Sequence, residues 1–343
     1  MIFSIDFWQT VFISMISVFF VIKFLRPIAI RINLVDAPDK RKQHKGNVPL
    51  VGGVSVYIGL MIAMFSSYPF NENLSYLLIA ASLILVVGII DDLRNLGVWL
   101  RLFFQIIACL IMIKGSGVHI SSLGSPFGSN EIMLGVFSVP FTIFAVVGLV
   151  NAFNISDGID GLAGSLALVT IIGIILFGAT SEKPLLFLLL AGLASALIPY
   201  LFANIISTKK VFLGDAGSMM IGFILAWVLI ILSQDETKSM VPTSVLWCVA
   251  FPVIDTFSVC CRRVRTGKSP LNADREHFHH LLLDSGITAK KSLLIILICA
   301  VGFLSLGLLV QNFWPSASLS IFIATALIYL CWSSRFLEKT RCS

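Results

Sequence analysis

The sequence predicts an all-α membrane protein that crosses the bilayer about eleven times and forms a single integral-membrane domain over residues 1–343. First, 57% of the residues are hydrophobic and only 12% are charged, which lies outside the range of soluble globular domains. Second, apolar stretches of about 20 residues, the length that spans a bilayer as a helix, recur from end to end. Third, no segment between them is long enough to fold as a soluble domain.

Eleven apolar stretches are the candidate spans, and because several are short or interrupted by glycine, ten or twelve crossings remain alternatives. The first is not a cleavable signal peptide, since no positive residue precedes it and no small-residue cleavage site follows it. The stretches lie near residues 7–25, 48–66, 74–90, 100–114, 133–153, 161–179, 184–206, 216–233, 242–260, 292–311 and 316–333.

The basic residues predict the orientation of the chain. Lys23, Arg26 and Arg31 follow the first stretch directly, which places the N-terminus outside and, with eleven spans, the C-terminus inside. This arrangement puts 21 of the 24 Lys and Arg residues in or beside inside loops. Anionic lipid headgroups explain the net charge of +6, so no nucleic-acid partner is expected. The inside loops are 26–47, 91–101, 151–160, 207–215, 261–291 and the C-terminal tail.

The acidic residues also favour the predicted inside face, although Asp and Glu have little influence on topology. An ionisable side chain at a membrane border is costly and indicates a function. Because these carboxylates come from separate loops, they predict one shared site on the cytoplasmic face. They are Asp36, Asp39, Asp91, Asp92, Asp157, Asp160, Asp215, Asp274, Glu276 and Asp284.

Two adjacent carboxylates end the motif GIIDDLRNL. Neighbouring residues on a helix point about 100° apart, so Asp91 and Asp92 cannot both face one ligand as a pair. One of them can bind a ligand while the other caps the next segment or pairs with Arg94. A purely structural role for both is the alternative.

The motif NAFNISDGIDGLAG places Asn151, Asn154, Asp157 and Asp160 at a spacing of three. An uninterrupted α-helix would rotate the first and the last of them to opposite sides, whereas a 3₁₀ turn or a helix broken at Gly158 would let all four converge. We favour a broken helix end that lines a polar cavity, where irregular backbone is tolerated at membrane depth.

A third acidic motif, VFLGDAGS at 211–218, leads into the next apolar stretch. Asp215 can hold a cation, and Ser218 with the free backbone N–H groups can face an anion. A simple helix cap is the alternative role for Asp215.

A cluster of three histidines lies in the longest inside loop, in DREHFHH. His277, His279 and His280 could bind zinc, but no cysteine or HExxH pattern accompanies them. The carboxylates and amides of the other loops suit a hard cation such as Mg²⁺ better.

Together with the basic segment RKQHKG at 41–46, the carboxylates, amides and histidines of the inside loops predict metal-assisted phosphoryl transfer. A transporter of nucleotide sugars or lipids is the alternative, although its polar residues would lie near the membrane midplane.

The four motifs, in this order and with DAPDKRKQHKGNVPLVGG at 36–53, resemble those of the polyprenyl-phosphate N-acetylhexosamine-1-phosphate transferases. DREHFHH is similar to the WecA/TagO-type branch, and the likeness extends from about residue 20 to 290. The resemblance implies a catalytic membrane domain in the bacterial cytoplasmic (inner) membrane. Its expected reaction is transfer of GlcNAc-1-phosphate from UDP-GlcNAc to undecaprenyl phosphate, which yields undecaprenyl-diphosphate-GlcNAc and UMP.

The resemblance also implies Mg²⁺ as the cofactor, with Mn²⁺ as a substitute, and an initiating role in a lipid-linked surface glycan such as O-antigen, enterobacterial common antigen or teichoic acid. Other UDP-N-acetylhexosamine donors (UDP-GalNAc, UDP-FucNAc or UDP-MurNAc-pentapeptide) stay open, as does a homodimer.

The family motifs assign roles to individual residues. The implied catalytic carboxylates are Asp91, Asp92, Asp157, Asp160 and Asp215, and the implied metal ligands are Asp215 and Asn154. Asp91 and Asp92 match the pair assigned to the lipid phosphate, and Arg101 is expected to hold that phosphate. Asp157 and Asp160 match positions that border the nucleotide, and Phe212 matches the residue near the uracil. The implied sugar and diphosphate contacts are Arg275, His277, His279 and His280, and Asn151, His44 and Lys45 are further substrate contacts.

One implied role is limited by physical chemistry. A phosphate monoester has a second pKa near 6, so at pH 7 it is mostly a dianion already. A general base at Asp91 or Asp92 is therefore not required. The larger barrier is the approach of that dianion to a diphosphate, which a metal and cationic side chains relieve.

Overall fold

A computed structural model describes residues 4–36, 46–67, 72–128, 130–178, 183–235, 239–269 and 276–342 of the protein. In these residues the chain forms thirteen α-helices and one small sheet. The helices are α1 Ile5–Arg31, α2 Gly52–Ser67, α3 Glu72–Arg94, α4 Val98–Ser116, α5 Ser138–Ile155, α6 Leu162–Phe177, α7 Pro184–Leu201, α8 Gly214–Gln234, α9 Pro242–Cys248, α10 Ala250–Arg265, α11 Phe278–Asp284, α12 Ala289–Phe313 and α13 Ser318–Cys342. A π-helical turn, Phe202–Ile206, continues α7.

The helices lie where the apolar stretches predict them. Within the described residues, eight helices are long and apolar enough to cross a membrane: α1, α3, α4, α5, α7, α8, α12 and α13. The pair α9 and α10, bent by 82°, passes the same test as one unit, and α2 and α6 are shorter apolar helices. The all-α polytopic class is therefore confirmed. The number of crossings and the orientation stay predictions.

Helix α8 is the centre of the bundle, and nearly all of its side chains are buried. Helices α2, α3, α5 and α6 pack around it. A Cβ atom added at Gly53 would lie 2.1 Å from the Cα of Gly217, and one added at Gly88 would lie 2.3 Å from the Cα of Ala216. Small residues thus bring the backbones of α2 and α3 into direct contact with the first turns of α8.

The two-stranded sheet is connected by backbone hydrogen bonds to the segment before α8. Strand β1 (Val35–Asp36) pairs antiparallel with β2 (Val48–Pro49). The carbonyl of Pro49 accepts a hydrogen bond from the backbone N–H of Phe212 at 2.9 Å, and the N–H of Gly52 donates to the Phe212 carbonyl at 2.8 Å. The backbone before Asp215 is therefore fixed by residues that follow the first inside loop.

The orientation can be tested with reporter fusions. Fusions at residue 125, in the loop between α4 and α5, are expected to report the outside, and fusions at residues 270 and 343 the cytoplasm, because of the asymmetric distribution of Lys and Arg. Paired phosphatase and fluorescent-protein fusions at each position would measure this. A cytoplasmic signal at residue 125 would contradict the predicted orientation.

Candidate active site

The start of α8 is capped by a carboxylate from α3. The backbone N–H of Asp215 donates to Oδ1 of Asp92 at 2.9 Å, and that of Ala216 donates to Oδ2 at 3.2 Å. Gly214 has a φ of +75°, and a Cβ atom there would lie 2.5 Å from Asp92 Oδ2. Asp92 thus satisfies two N–H groups at the positive end of α8. This leaves the Asp215 side chain available for another role.

Arg101 connects the other carboxylate of the pair to Asp215. Its Nη1 atom lies 2.9 Å from Asp91 Oδ2 and 3.4 Å from Asp215 Oδ2. Asp91 also accepts a hydrogen bond from the backbone N–H of Leu96 at 2.6 Å, and its side chain is only 3% exposed. The cation that pairs with Asp91 is therefore Arg101 rather than Arg94, and Asp91 and Asp92 do serve different partners.

Asn154, near the end of α5, holds the Asp215 carboxylate from the other side. Its Nδ2 atom donates to Asp215 Oδ1 at 2.8 Å and to Ser218 Oγ at 3.1 Å. In this arrangement the amide nitrogen of Asn154, and not its oxygen, faces Asp215. Two residues predicted as a metal pair are thus adjacent, with Asn154 orienting the carboxylate.

The four polar residues of 151–160 do not converge on one point. Helix α5 ends at Ile155, three residues before Gly158. Asn151 lies on α5 and donates to Gln105 Oε1 of α4 at 2.8 Å, whereas Asp160, in the following turn, forms an ion pair with Lys210. The helix break is present as expected, but it leaves Asn151 and Asp160 bound to different elements.

Negative charge accumulates around Asp157, in the turn after α5. Burial raises the pKa of Asp157 well above its usual value, and the charges of Asp215, Asp92 and Asp160 raise it further. A divalent cation would relieve this repulsion. Among the described residues no three His, Cys, Asp or Glu side chains are close enough to hold a metal between them. Mg²⁺ commonly uses one or two carboxylates and keeps several waters, so Asp215 with Asp157 nearby is a donor set that it could use, and Mg²⁺ stays the predicted cation.

The histidine segment, residues 277–280, is hydrogen-bonded to Asp255, a buried carboxylate of α10. His277 Nδ1 lies 2.9 Å from Asp255 Oδ2. The other oxygen, Oδ1, accepts hydrogen bonds from the Tyr329 hydroxyl at 2.9 Å and from the backbone N–H of Phe278 at 3.2 Å. Asp255 therefore links the histidine segment to α10 and to the last helix, α13.

The histidine segment also lies on the turn that carries Asp157. A Cβ atom added at Gly158 would lie 2.0 Å from His279 Nε2. The rings of His279 and His280 are adjacent, with centroids 4.1 Å apart. The structure thus brings the histidine motif next to the acidic motif, more than 100 residues earlier in the chain.

Several contacts of the site were not found by sequence reasoning. Asp255 lies inside the predicted span 242–260, where a carboxylate in an apolar run was the available signal. Lys210 is one of the Lys and Arg residues of the predicted inside loops, and no sequence pattern marks Gln105 or Tyr329 as part of a site. Phe212 lies three residues before Asp215, and its side chain is half-buried. His44, Lys45 and Arg275 lie outside the described residues.

Known proteins are similar to this chain over nearly its whole length. A model of glycosyl transferase family 4 matches residues 74–233. An undecaprenyl-phosphate alpha-N-acetylglucosaminyl 1-phosphate transferase of Escherichia coli O157:H7 is 37% identical over 334 residues, covering 93% of this chain and 90% of the relative. Proteins of the same name from Salmonella typhi and Haemophilus influenzae are 37% and 35% identical, covering 92% and 89% of this chain and 89% and 87% of their own lengths. The chain belongs to glycosyl transferase family 4.

Membership of family 4 confirms the resemblance carried by the motifs. The protein is an enzyme of the glycosyl-1-phosphate transferase class, and a multi-pass membrane protein. The matched region of the family model contains Asp91, Asp92, Arg101, Asn154 and Asp215. The histidine segment lies beyond the region that the family model matches, but within the part aligned to the relatives.

The contact between Gly158 and His279 gives a testable prediction for this family 4 enzyme. Gly158→Ala is expected to displace His279 and to lower kcat/KM for the sugar-nucleotide donor by about tenfold, since overpacking a close contact costs about 1–3 kcal/mol. Gly148→Ala, in α5, is the matched control, because a Cβ atom there meets nothing within 4 Å. Equal kinetics of the two variants would contradict a functional contact.

Proposed function

We propose that the protein transfers GlcNAc-1-phosphate from UDP-GlcNAc to undecaprenyl phosphate and thereby initiates a lipid-linked surface glycan. The bacterial inner membrane is the proposed location, with the site on its cytoplasmic face. The observation that carries the proposal is the Asp215 carboxylate, held between Arg101 and Asn154 beside the acidic turn at Asp157. The names of the relatives support the donor and the acceptor.

The reaction joins two phosphates. An oxygen of the lipid phosphate attacks the β-phosphorus of UDP-GlcNAc and forms a new P–O–P bond. The bond from that phosphorus to the oxygen bridging the two phosphates breaks, and UMP leaves with this oxygen. The sugar stays attached to the phosphorus that is transferred. Both reactants are anionic, so the site must reduce their repulsion and align them.

Asp91, Asp92 and Arg101 form the acceptor side of the proposed site. Both oxygens of each carboxylate are already engaged, those of Asp92 with the start of α8 and those of Asp91 with Leu96 and Arg101. This supports a positioning role rather than a role as general base. Arg101 is partly exposed, and its guanidinium can hold a phosphate while staying in place through Asp91.

The donor side comprises the residues around the start of α8 and the histidine segment. Mg²⁺ bound by Asp215, with Asn154 and Asp157 beside it, would neutralise charge that develops on the phosphate oxygens. Phe212 precedes this carboxylate and borders the proposed uracil position. Asp160, which pairs with Lys210, would border the nucleotide. His279 lies against the turn at Gly158, with the ring of His280 beside it, and both would contact the sugar diphosphate.

The donor role of the histidines can be separated from metal binding. His280→Ala is expected to raise the KM for UDP-GlcNAc by at least about tenfold, because hydrogen bonds to charged groups are worth roughly 1.5–3 kcal/mol. The KM for undecaprenyl phosphate should change little. If the histidines bound the metal instead, donor affinity would recover at high Mg²⁺. A titration of Mg²⁺ against the KM of His280→Ala decides between the two.

The proposed reaction is tested with purified protein in detergent. Incubation with UDP-GlcNAc, undecaprenyl phosphate and Mg²⁺ should release UMP and form the lipid diphosphate. Parallel reactions with UDP-GalNAc, UDP-FucNAc and UDP-MurNAc-pentapeptide measure donor preference. Uptake of UDP-GlcNAc into proteoliposomes without UMP release would instead support a transporter.

A further inference from the structure

A groove separate from the proposed active site lies between the C-terminal half of α1 and the end of α7. It is open to its surroundings and has a volume of about 430 Å³. Its apolar wall includes Phe19 and Ile30 from α1 and Phe202 from the π-helical turn, all of which are more than half exposed. An exposed apolar wall beside a membrane-spanning helix suits contact with lipid chains.

Three cations share this groove with the apolar wall. Lys23 and Arg26 come from α1, and Lys209 comes from the segment before α8, whereas no acidic side chain lines the groove among the described residues. The groove therefore presents three positive charges beside an apolar wall.

We propose that this groove binds one anionic phospholipid of the inner leaflet. Its phosphate would meet Arg26 and Lys209, and its acyl chains would run along Phe19 towards the membrane interior. Charge complementarity favours this occupant, since the three cations lie at the predicted inside end of α1, where anionic headgroups concentrate. The acceptor lipid is assigned elsewhere, because Arg101 lies on α4, which packs mainly against α3 and α5.

The groove is connected to the proposed active site by a short segment. Lys209 lines the groove, and the next residue, Lys210, pairs with Asp160. The N–H of Lys209 donates to Ser207 Oγ at 3.0 Å, and Ser207 also lines the groove. A lipid phosphate that holds Lys209 would therefore restrict the segment that presents Lys210. Anionic lipid is expected to raise both the melting temperature and the turnover of the enzyme.

The experiment measures binding without relying on activity. Delipidated full-length protein is mixed with phosphatidylglycerol or phosphatidylcholine, and retained lipid is counted by native mass spectrometry alongside the melting temperature. The wild type should retain phosphatidylglycerol preferentially. Arg26→Ala combined with Lys209→Ala should lower that retention by about tenfold. The control removes two exposed lysines from the same predicted face, Lys290→Ala with Lys291→Ala, and should behave like the wild type.

Two results would overturn the proposal. The first is equal retention of phosphatidylglycerol by the groove variant and the lysine control. The second is displacement of phosphatidylglycerol by undecaprenyl phosphate, with a raised KM for that acceptor in the groove variant, which would make the groove the acceptor site. If the double variant does not fold, Lys209→Ala alone serves, because Lys209 is exposed. Failure of transferase activity in the wild type would count against the proposed function and leave the retention measurement intact.

Discussion

Asp215→Asn is expected to lower kcat by at least about 100-fold, a loss of several kcal/mol of electrostatic stabilisation. The carboxylate lies at the start of α8, where it accepts a hydrogen bond from Asn154 and lies 3.4 Å from Nη1 of Arg101. Asparagine has nearly the same shape but no charge, so the hydrogen-bonding frame can persist while the proposed metal ligand is lost. Steady-state UMP release measures the effect.

Asp235→Asn is the matched control, because Asp235 follows the other end of α8 and pairs with Lys183 there. It should leave kcat close to that of the wild type. Chelator should abolish wild-type activity, and added Mg²⁺ or Mn²⁺ should restore it. A near-normal rate for Asp215→Asn would remove this carboxylate from the proposed site.

Asp255→Asn is expected to lower kcat/KM for UDP-GlcNAc by roughly 10- to 100-fold. Three donors converge on the Asp255 carboxylate, from His277, Phe278 and Tyr329, and an amide has only one oxygen to accept them. Breaking a buried hydrogen bond of this kind costs about 1–3 kcal/mol per unsatisfied group. The loss should appear mainly in the KM for the donor.

Tyr329→Phe provides the comparison for Asp255→Asn. It removes one donor but keeps the pair between His277 and Asp255, so its kinetic effect should be smaller. A purely structural role for Asp255 would instead lower the melting temperature of both variants and leave the KM for UDP-GlcNAc unchanged. Thermal denaturation and donor titrations of both variants distinguish these outcomes.

The helical elements could be predicted because hydrophobic length is a local property of the sequence. Each of the eleven apolar stretches is mostly helical at its predicted place, although 48–66 begins with strand β2 and 242–260 is bent by 82° between α9 and α10. The adjacency of Asp215 and Asn154 also followed from the motifs, through the family resemblance. Asp255 could not be assigned a partner, because its hydrogen bonds reach residues 22 and 74 positions away. Such pairing depends on how the helices pack, which periodicity does not specify.

The turn after α5 also shows that sequence spacing does not specify which residues pair in the folded chain. Spacing by three suggested a common direction for Asn151 and Asp160, but the packing of α4 and the position of Lys210 gave them separate partners. Likewise, the cap on α8 comes from Asp92, 123 positions earlier in the chain. The sequence motifs therefore indicated which residue types belong to the site, but their spacing did not predict how those residues are arranged.

The close contacts of α8 constrain how the enzyme can move during turnover. Gly53 faces Gly217, and Gly88 faces Ala216, with no side chain between the backbones to reorient. Interfaces of this kind cannot slide without moving whole helices, whereas contacts made by side-chain tips can change rotamer. Asp215 is therefore attached to the stationary part of the molecule. We therefore expect movement during turnover at side-chain contacts such as that of His279 with the turn at Gly158, rather than at α8.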